Sequence, residues 1–160
     1  MCRYYIQKME DSIFIRGDKL KDDEILSLYK LHRKVSGYTD LLDDFKKLSG
    51  HVYVLTSLTE FNIYGYIILK LVTTKIIKIE WIYGPGYGVI IMMNIEKRYI
   101  DKGFEKILLN CSIDPTEDKN TVMRRINFYI KNKYRVYDIE YRHEHGPSLK
   151  MEKILNVYKI

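Results

Sequence analysis

The sequence predicts a single mixed α/β domain in which helices flank a mostly antiparallel sheet. Its 160 residues suit one domain, and 46% hydrophobic and 30% charged residues are typical of soluble globular proteins. The hydrophobic period also changes along the chain, from helical spacing to segments rich in Val, Ile, Tyr and Thr. Strand-like and helical segments then alternate, which gives the order β-α-α-β-β-β-α-β-α-β-β over residues 1–160.

The first fifty residues are predicted to hold one strand and two helices. A short apolar run indicates a strand at Ser12–Arg16. Acidic residues from Asp22 suit the first turn of a helix, whose apolar spacing continues to about residue 35. Thr39 or Asp40 can cap a second short helix, which Gly50 closes.

The middle of the chain changes to strand-like segments separated by short turns. These segments predict an antiparallel meander of three strands: His51–Thr56, Asn62–Val72 and Lys75–Tyr83. A glycine-rich loop follows, and helical spacing then predicts a helix over Val89–Asp101, with Gly103 as its C′ residue.

The last third is predicted to alternate again between strand and helix. Phe104–Ile113 is a buried strand. The next helix starts at Asp114, where proline would occupy the first helical position, or later at Asn120, and runs to about Lys133. Two final strands are predicted, Arg135–Tyr141 and Leu149–Tyr158.

Charge and cysteine content restrict the class of partner and the compartment. The net charge of +6 and the pI near 9.1 favour an anionic partner, which could be nucleic acid, acidic lipid or a phosphate-bearing cofactor. The basic residues are scattered, so nucleic acid is the weaker choice. No apolar run approaches the roughly 20 residues of a membrane span. Two cysteines and no apolar leader predict a cytoplasmic protein, in a host cytoplasm if the source is viral.

The segment Gly84-Pro85-Gly86-Tyr87-Gly88 joins a strand to a helix and is the strongest candidate for chemistry. A helix that opens on glycines presents free N–H groups and the positive end of its dipole, which together suit a phosphate. The alternative is a turn that only reverses the chain. A P-loop needs Gly-Lys-Ser/Thr, which is absent here, and the glycine spacing does not fit a dinucleotide-binding motif. Two histidines at 143 and 145 without a cysteine pair do not make a zinc site, and no metal is predicted.

On these residues the sequence resembles the GNAT family of acyl-coenzyme A N-acyltransferases. Their motif, Arg/Gln-x-x-Gly-x-Gly/Ala, is similar to the six residues Tyr83–Gly88, with Tyr83 where Arg or Gln is usual. The ending of the family's fourth helix, Phe-Tyr-x-x-x-Gly-Phe, is similar to residues 128–134, with Lys133-Tyr134 in place of Gly-Phe. Leu149–Leu155 is similar to the family's last strand.

The resemblance implies that acetyl-CoA is the co-substrate and that a primary amine is the acceptor. The pantetheine arm would lie beside the fourth strand, near Ile82 and Tyr83. Asn120 is the asparagine nearest the family's pantetheine contact, where this chain has Val122. The pyrophosphate would bind backbone amides of the glycine loop and helix start: Gly84, Gly86, Tyr87, Gly88 and Val89.

The resemblance also implies the catalytic roles. Tyr129 on the fourth predicted helix would protonate the departing thiolate, because a phenol with a pKa near 10 can serve a thiol near 8.5. Glu80 on the fourth strand would act as the base for the amine. The alternative for Glu80 is an outward-facing strand residue that pairs with a lysine such as Lys78. His51 and Tyr53 are weaker candidates for the base.

Two other functions stay open from the sequence. A GNAT-fold module could bind CoA or a protein partner without turnover, and a basic nucleic-acid binder is the less favoured alternative. Residues 51–158 are expected to form the acyl-CoA-binding core. The helices within residues 20–50 would form the variable acceptor side, and assembly as a homodimer is left open.

Overall fold

The computed structural model describes residues 3–142 and 146–155. Five α-helices lie in this part of the chain: α1 (Arg3–Glu10), α2 (Asp22–Ser36), α3 (Leu42–Lys47), α4 (Gly88–Asp101) and α5 (Lys119–Lys131). The strands are β1 (Ser12–Arg16), β2 (Val52–Ser57), β3 (Ile63–Leu71), β4 (Ile76–Tyr83), β5 (Lys106–Ser112), β6 (Arg135–Arg142) and β7 (Gly146–Ile154). None of the helices described is both long and apolar enough to cross a bilayer.

The described strands form one sheet in the order β1-β2-β3-β4-β5-β7-β6. The β4–β5 pair is parallel, while β1–β2, β2–β3, β5–β7 and β6–β7 are antiparallel. The predicted mixed α/β class and mostly antiparallel sheet are therefore confirmed. The helix α1, which precedes the first strand, was not predicted; the single-domain boundary over 1–160 stays a prediction.

The chain divides into two compact units, and the first contains residues up to Leu69 together with Trp81–Ile95. Its core joins α2 and α3 to one face of β2 and β3, where Leu28, Phe45, Val52 and Tyr66 are fully buried. The helical spacing of apolar residues explains why α2 packs there, since residues three and four apart share the face of α2 that meets the sheet.

The second unit contains Lys70–Glu80 and the chain from Glu96 onward. Burial alternates along β5, where Ile107, Leu109 and Cys111 are buried and the residues between them are partly exposed. Successive side chains of a strand point to opposite faces, so β5 has one apolar face and one more polar face. The more polar face carries an asparagine and a serine.

Two helix ends share one hydrogen-bond pattern. After α4, Gly103 has φ +84° and Phe104 N–H donates to the Tyr99 carbonyl at 2.9 Å. After α5, Lys133 has φ +71° and Tyr134 N–H donates to the Tyr129 carbonyl at 3.0 Å. Both are Schellman endings, which normally place glycine at the left-handed position. Gly103 confirms the prediction, whereas Lys133 occupies a position that favours glycine.

Several predicted boundaries need correction. The N-cap of α3 is Leu41 rather than Thr39 or Asp40, and Leu41 makes no side-chain cap. Of the two starts left open for α5, the later is right, since Asp114 instead accepts hydrogen bonds from Thr116 in a turn. The predicted end of the last strand at residue 158 and the His143–His145 segment lie outside the described residues.

Candidate functional site

A tight turn connects β4 to α4 within the first unit. Tyr87 N–H donates to the Gly84 carbonyl at 2.8 Å, and Gly86 has φ +77°. With Pro85 and Gly86 as its central residues, this is a type II β-turn, which requires a positive φ at its third residue. The backbone conformation of the turn therefore explains why Pro85 and Gly86 occur at these two positions.

Gly84, the first residue of the turn, allows close packing instead. A Cβ at Gly84 would lie 2.7 Å from Cδ1 of Ile91, and one at Gly65 on β3 would lie 2.6 Å from the Tyr83 carbonyl. Ile91 is fully buried. Gly65 on β3 and Gly84 just after β4 therefore let the first turn of α4 approach the sheet closely, and this fixes where the helix opens.

The opening of α4 leaves backbone amides without a partner inside the helix. Ile91 N–H donates to the Tyr87 carbonyl at 3.0 Å as the first helical hydrogen bond, so the N–H groups of Gly88, Val89 and Ile90 have no partner inside the helix. Gly88 and Val89 are only half-buried. The predicted cradle needs one correction, because the amide of Tyr87 is already used by the turn.

A cation from α1 lies against this turn. The Lys8 ammonium donates to the Gly86 carbonyl at 2.8 Å and lies 4.1 Å from the centre of the Tyr87 ring. Tyr87 itself stacks on Tyr64, with ring centres 4.8 Å apart. The family motif usually has a basic or amide residue where this chain has Tyr83, and Lys8 brings a positive charge to the same loop from elsewhere in the sequence.

Glu80 lies in a polar cavity of about 190 Å³ within the second unit. The cavity is also lined by Lys78 on β4, Asn110 and Ser112 on β5, and Ser148 on β7. Asn110 and Ser112 alternate with the buried apolar residues of β5, so the cavity lies on the polar face of that strand. A solvent-exposed carboxylate beside hydroxyl and amide groups can accept a proton from a polar ligand.

Tyr129 is buried on the other face of β5, in contact with apolar and charged groups of the second unit. Its ring meets that of Tyr134 edge-on, with centres 5.9 Å apart. Burial raises the pKa of Tyr129 to about 12; the nearby Cys111 acts in the same direction, and the Arg125 guanidinium opposes it. Tyr129 therefore stays protonated at neutral pH, so in a proton transfer it can act as an acid but not as a base.

Arg125 precedes Tyr129 by one helical turn and is fixed by two partners. Its guanidinium pairs with Glu117 and donates to the Ser112 carbonyl at 2.9 Å. The ion pair joins α5 to the segment that precedes it and holds a positive charge near the phenol. The four-residue spacing of Arg125 and Tyr129 was visible in the sequence, whereas the contact with Ser112 required the fold.

The remaining predicted site residues differ in burial and in the element that carries them. Ile82 and Tyr83 end β4, as expected, and Asn120 is exposed in the first turn of α5. Tyr53 is fully buried and stacks on Phe14, so it has a core role. His51, the other weak candidate for the base, is exposed before β2.

Lys8, Asn110 and Ser112 were not predicted as site residues from the sequence. Lys8 lies 78 positions from Gly86, and no local pattern indicates such a pairing. Asn110 and Ser112 could have been found, because alternation along the predicted strand places both on the face opposite the apolar residues. Among the described residues, no three His, Cys, Asp or Glu side chains are grouped as metal ligands.

Comparisons with known proteins agree on the fold. No family model and no curated protein matches the sequence. Ard1 from Thermoplasma volcanium superposes with a TM-score of 0.70 at 14% identity, over 91% of this chain and 99% of that one. The ribosomal-protein-S18-alanine N-acetyltransferase from Escherichia coli gives 0.69 at 10% identity, over 91% and 95%.

An aminoglycoside 6′-N-acetyltransferase solved in complex with coenzyme A gives a TM-score of 0.72 at 13% identity, over 90% of this chain and 97% of that one. The chain therefore has the fold of the GNAT acetyltransferases, and the resemblance seen in the glycine motif is confirmed at the level of the fold.

Proposed function

We propose that the protein is an N-acetyltransferase that moves an acetyl group from acetyl-CoA to a primary amine. The observation that carries the proposal is the β4–turn–α4 segment, in which a type II turn and close glycine packing leave the Gly88 and Val89 amides accessible. The GNAT fold around this segment supports the same activity, since the similar structures are of acetyltransferases and one holds coenzyme A.

The residues at the turn fit the phosphates of acyl-CoA. The amides at the start of α4 and the helix dipole favour an anion, typically by about 0.3–1 kcal/mol for the dipole alone. The Lys8 ammonium adds a full positive charge at the turn. Glycine at position 86 suits the positive φ of the turn, and a Cβ there would lie 3.1 Å from the Lys8 ammonium. Lys8, Gly88 and Val89 would therefore hold the pyrophosphate.

Residues of β4 and α5 would supply the proton chemistry. Acetyl-CoA, when bound, supplies a thioester carbonyl that an amine can attack. Glu80 would take the proton of the amine in its polar cavity, directly or through water. The N–H groups at the end of β4, near Ile82 and Tyr83, would donate to the carbonyl oxygen as charge develops on it. Tyr129 would donate a proton to the leaving sulfur.

Arg125 would assist Tyr129 in this role. A phenol with a pKa of about 12 is a weaker acid than a thiol near 8.5, so proton donation is uphill. The Arg125 guanidinium stabilises the phenolate, and without it the pKa of Tyr129 would be higher still. The Glu117 and Ser112 contacts would keep the guanidinium in place during the reaction.

The test of the proposal is thiol release from acetyl-CoA in the presence of a panel of primary amines. Glu80→Gln should reduce kcat/KM at neutral pH by about 10²–10⁴-fold and flatten the acidic limb of the pH–rate profile, since one general base is lost. Glu60→Gln, an exposed carboxylate in the β2–β3 turn, is the matched control and should change neither. A Glu80→Gln profile equal to wild type would remove Glu80 as the base.

Tyr129→Phe tests the acid separately. The ring remains, so α5 keeps its packing, and kcat should fall by about 10²-fold while acetyl-CoA affinity changes little. The loss should shrink with an acyl donor whose thiol has a lower pKa, because that thiolate needs less protonation. An equal loss with both donors would assign Tyr129 to packing instead.

A binding module without turnover is the alternative function. It predicts that acetyl-CoA binds and that no amine in the panel releases thiol. Binding without turnover would therefore contradict the proposed enzyme and leave the acyl-CoA site intact.

A further inference from the structure

The cavity around Glu80 adjoins a larger one within the second unit. This second cavity has a volume of about 460 Å³ and shares Lys78 and Asn110 with the first. Lys70 at the end of β3, Lys150 on β7 and Glu140 on β6 also line it. Its volume lies within the range of small-molecule sites, which is roughly 300–1,000 Å³. Glu80 lines only the smaller of these two adjoining cavities, which are together called the groove.

Three lysines line this groove, Lys70, Lys78 and Lys150, and Glu140 also lines the larger cavity. Within the described part of the chain, Lys70, Lys78 and Lys150 form no ion pair. Other lysines of the same unit do form ion pairs there: Lys75 with Glu105, Lys106 with Glu152, and Lys153 with Glu96.

Like charges placed around one cavity repel each other, and an anion bound among them relieves the repulsion. The spacing along β4 relates this anion to the amine. Lys78 and Glu80 are two residues apart on β4 and face the same side. Their Cα atoms are therefore about 7 Å apart, at roughly 3.3 Å per residue. A ligand that presents its amine to Glu80 therefore places a group of atoms about 7 Å away among the lysines.

From this arrangement we propose that the acceptor is a small primary amine that also carries an anionic group, a carboxylate or a phosphate, about 7 Å from its nitrogen. Glu80 receives the amine end, and Lys78 and Lys150, with Lys70 at the far side, bind the anionic end. This inference rests on the proposed function, because it assigns the acceptor of the same reaction. It excludes polyamines as good acceptors, since their second cation would meet the lysines.

Matched acceptors of one chain length test the inference. Thiol release from acetyl-CoA is measured with 6-aminohexanoate, 6-aminohexyl phosphate, 6-aminohexanamide and 1,6-diaminohexane at low and high salt. The anionic acceptors should exceed the neutral amide in kcat/KM by about tenfold, and the diamine should be poorest. The difference should shrink at 1 M salt, where the screening length falls to about 3 Å. The two anionic acceptors distinguish carboxylate from phosphate as the preferred group.

Charge reversal at the groove provides the second arm. Lys150→Glu should lower the ratio of kcat/KM for 6-aminohexanoate to that for 1,6-diaminohexane by at least tenfold. Lys97→Gln, an exposed lysine on α4 outside both cavities, is the control and should leave the ratio unchanged. A calorimetric titration with 6-aminohexanoate alone should show salt-dependent binding that Lys150→Glu weakens.

The outcomes separate the inference from the proposed function. Equal rates with all four acceptors, or an unchanged ratio in Lys150→Glu, would overturn the anionic acceptor and leave the transferase intact. Thiol release with none of the amines would overturn the transferase and the acceptor assignment together.

Discussion

Lys133 should be a site where one substitution stabilises the protein. It occupies the left-handed position of the α5 ending with φ +71°, and its side chain is exposed. A residue with a Cβ loses about 1–2 kcal/mol in this conformation. Glycine avoids that cost but loses roughly 0.5–1 kcal/mol more chain entropy on folding. Lys133→Gly should therefore stabilise the fold by about 0.5–1 kcal/mol.

The equivalent position after α4 supplies the control. Gly103 has φ +84° and the same pair of backbone hydrogen bonds, and a Cβ at this position would have no other atom within 4 Å. Gly103→Ala should therefore destabilise the fold through backbone conformation alone, by about 1 kcal/mol.

Urea unfolding monitored by circular dichroism measures both variants, and a gain of this size corresponds to about 2 °C in Tm for a chain of this length. A Lys133→Gly variant no more stable than wild type, alongside a destabilised Gly103→Ala, would refute the reasoning that this conformation is strained at Lys133.

Three further predictions concern buried and charged groups. The Tyr134 hydroxyl is buried without a hydrogen-bond partner in the described structure, so Tyr134→Phe should keep or raise the free energy of unfolding measured in urea. Tyr66→Phe is the comparison: it loses a 2.7 Å hydrogen bond to His32 and should cost about 1 kcal/mol. Burial lowers the pKa of His32 below 6.5, so the unfolded chain binds a proton at this histidine more readily than the folded chain does. Stability should therefore fall as the pH drops below about 6.5. His32→Gln should flatten this dependence of stability on pH, and His51→Gln should not. Lys8→Gln should weaken acetyl-CoA binding about tenfold in calorimetry and reduce its salt dependence, with Lys8→Arg restoring both; an unchanged affinity would remove Lys8 from the phosphate site.

The elements of the fold were largely predictable because each has a local cause. The period-two run of β5 and the acidic first turn of α2 both act within a few residues, and the structure has them where the sequence indicated. The helix α1 was missed because its eight residues carry no acidic first turn and are more polar on average than those of α2. The start of α5 was ambiguous because Asp114 can cap a helix or a turn with the same side-chain hydrogen bond.

The candidate site was predictable only in part. The glycine loop was found because its turn and its close packing both require small residues in the local sequence. The position of Lys8 was not, since a contact across 78 residues depends on the path of the whole chain. The three lysines of the groove come from β3, β4 and β7, and only the strand order brings them to one cavity.

The most direct test of the central claim is a calorimetric titration of acetyl-CoA into wild type, Gly88→Glu and Gly88→Gln. Gly88 is preferable to Gly86 for this purpose, since a side chain at Gly86 would also strain a turn with φ +77°. An acid in the first turn of α4 suits the helix dipole, so the fold should persist. An acyl-CoA site at the opening of α4 predicts that wild type binds, that Gly88→Glu loses most of its affinity through repulsion of the pyrophosphate, and that Gly88→Gln loses clearly less. Equal affinity in wild type and Gly88→Glu would contradict an acyl-CoA site at the opening of α4.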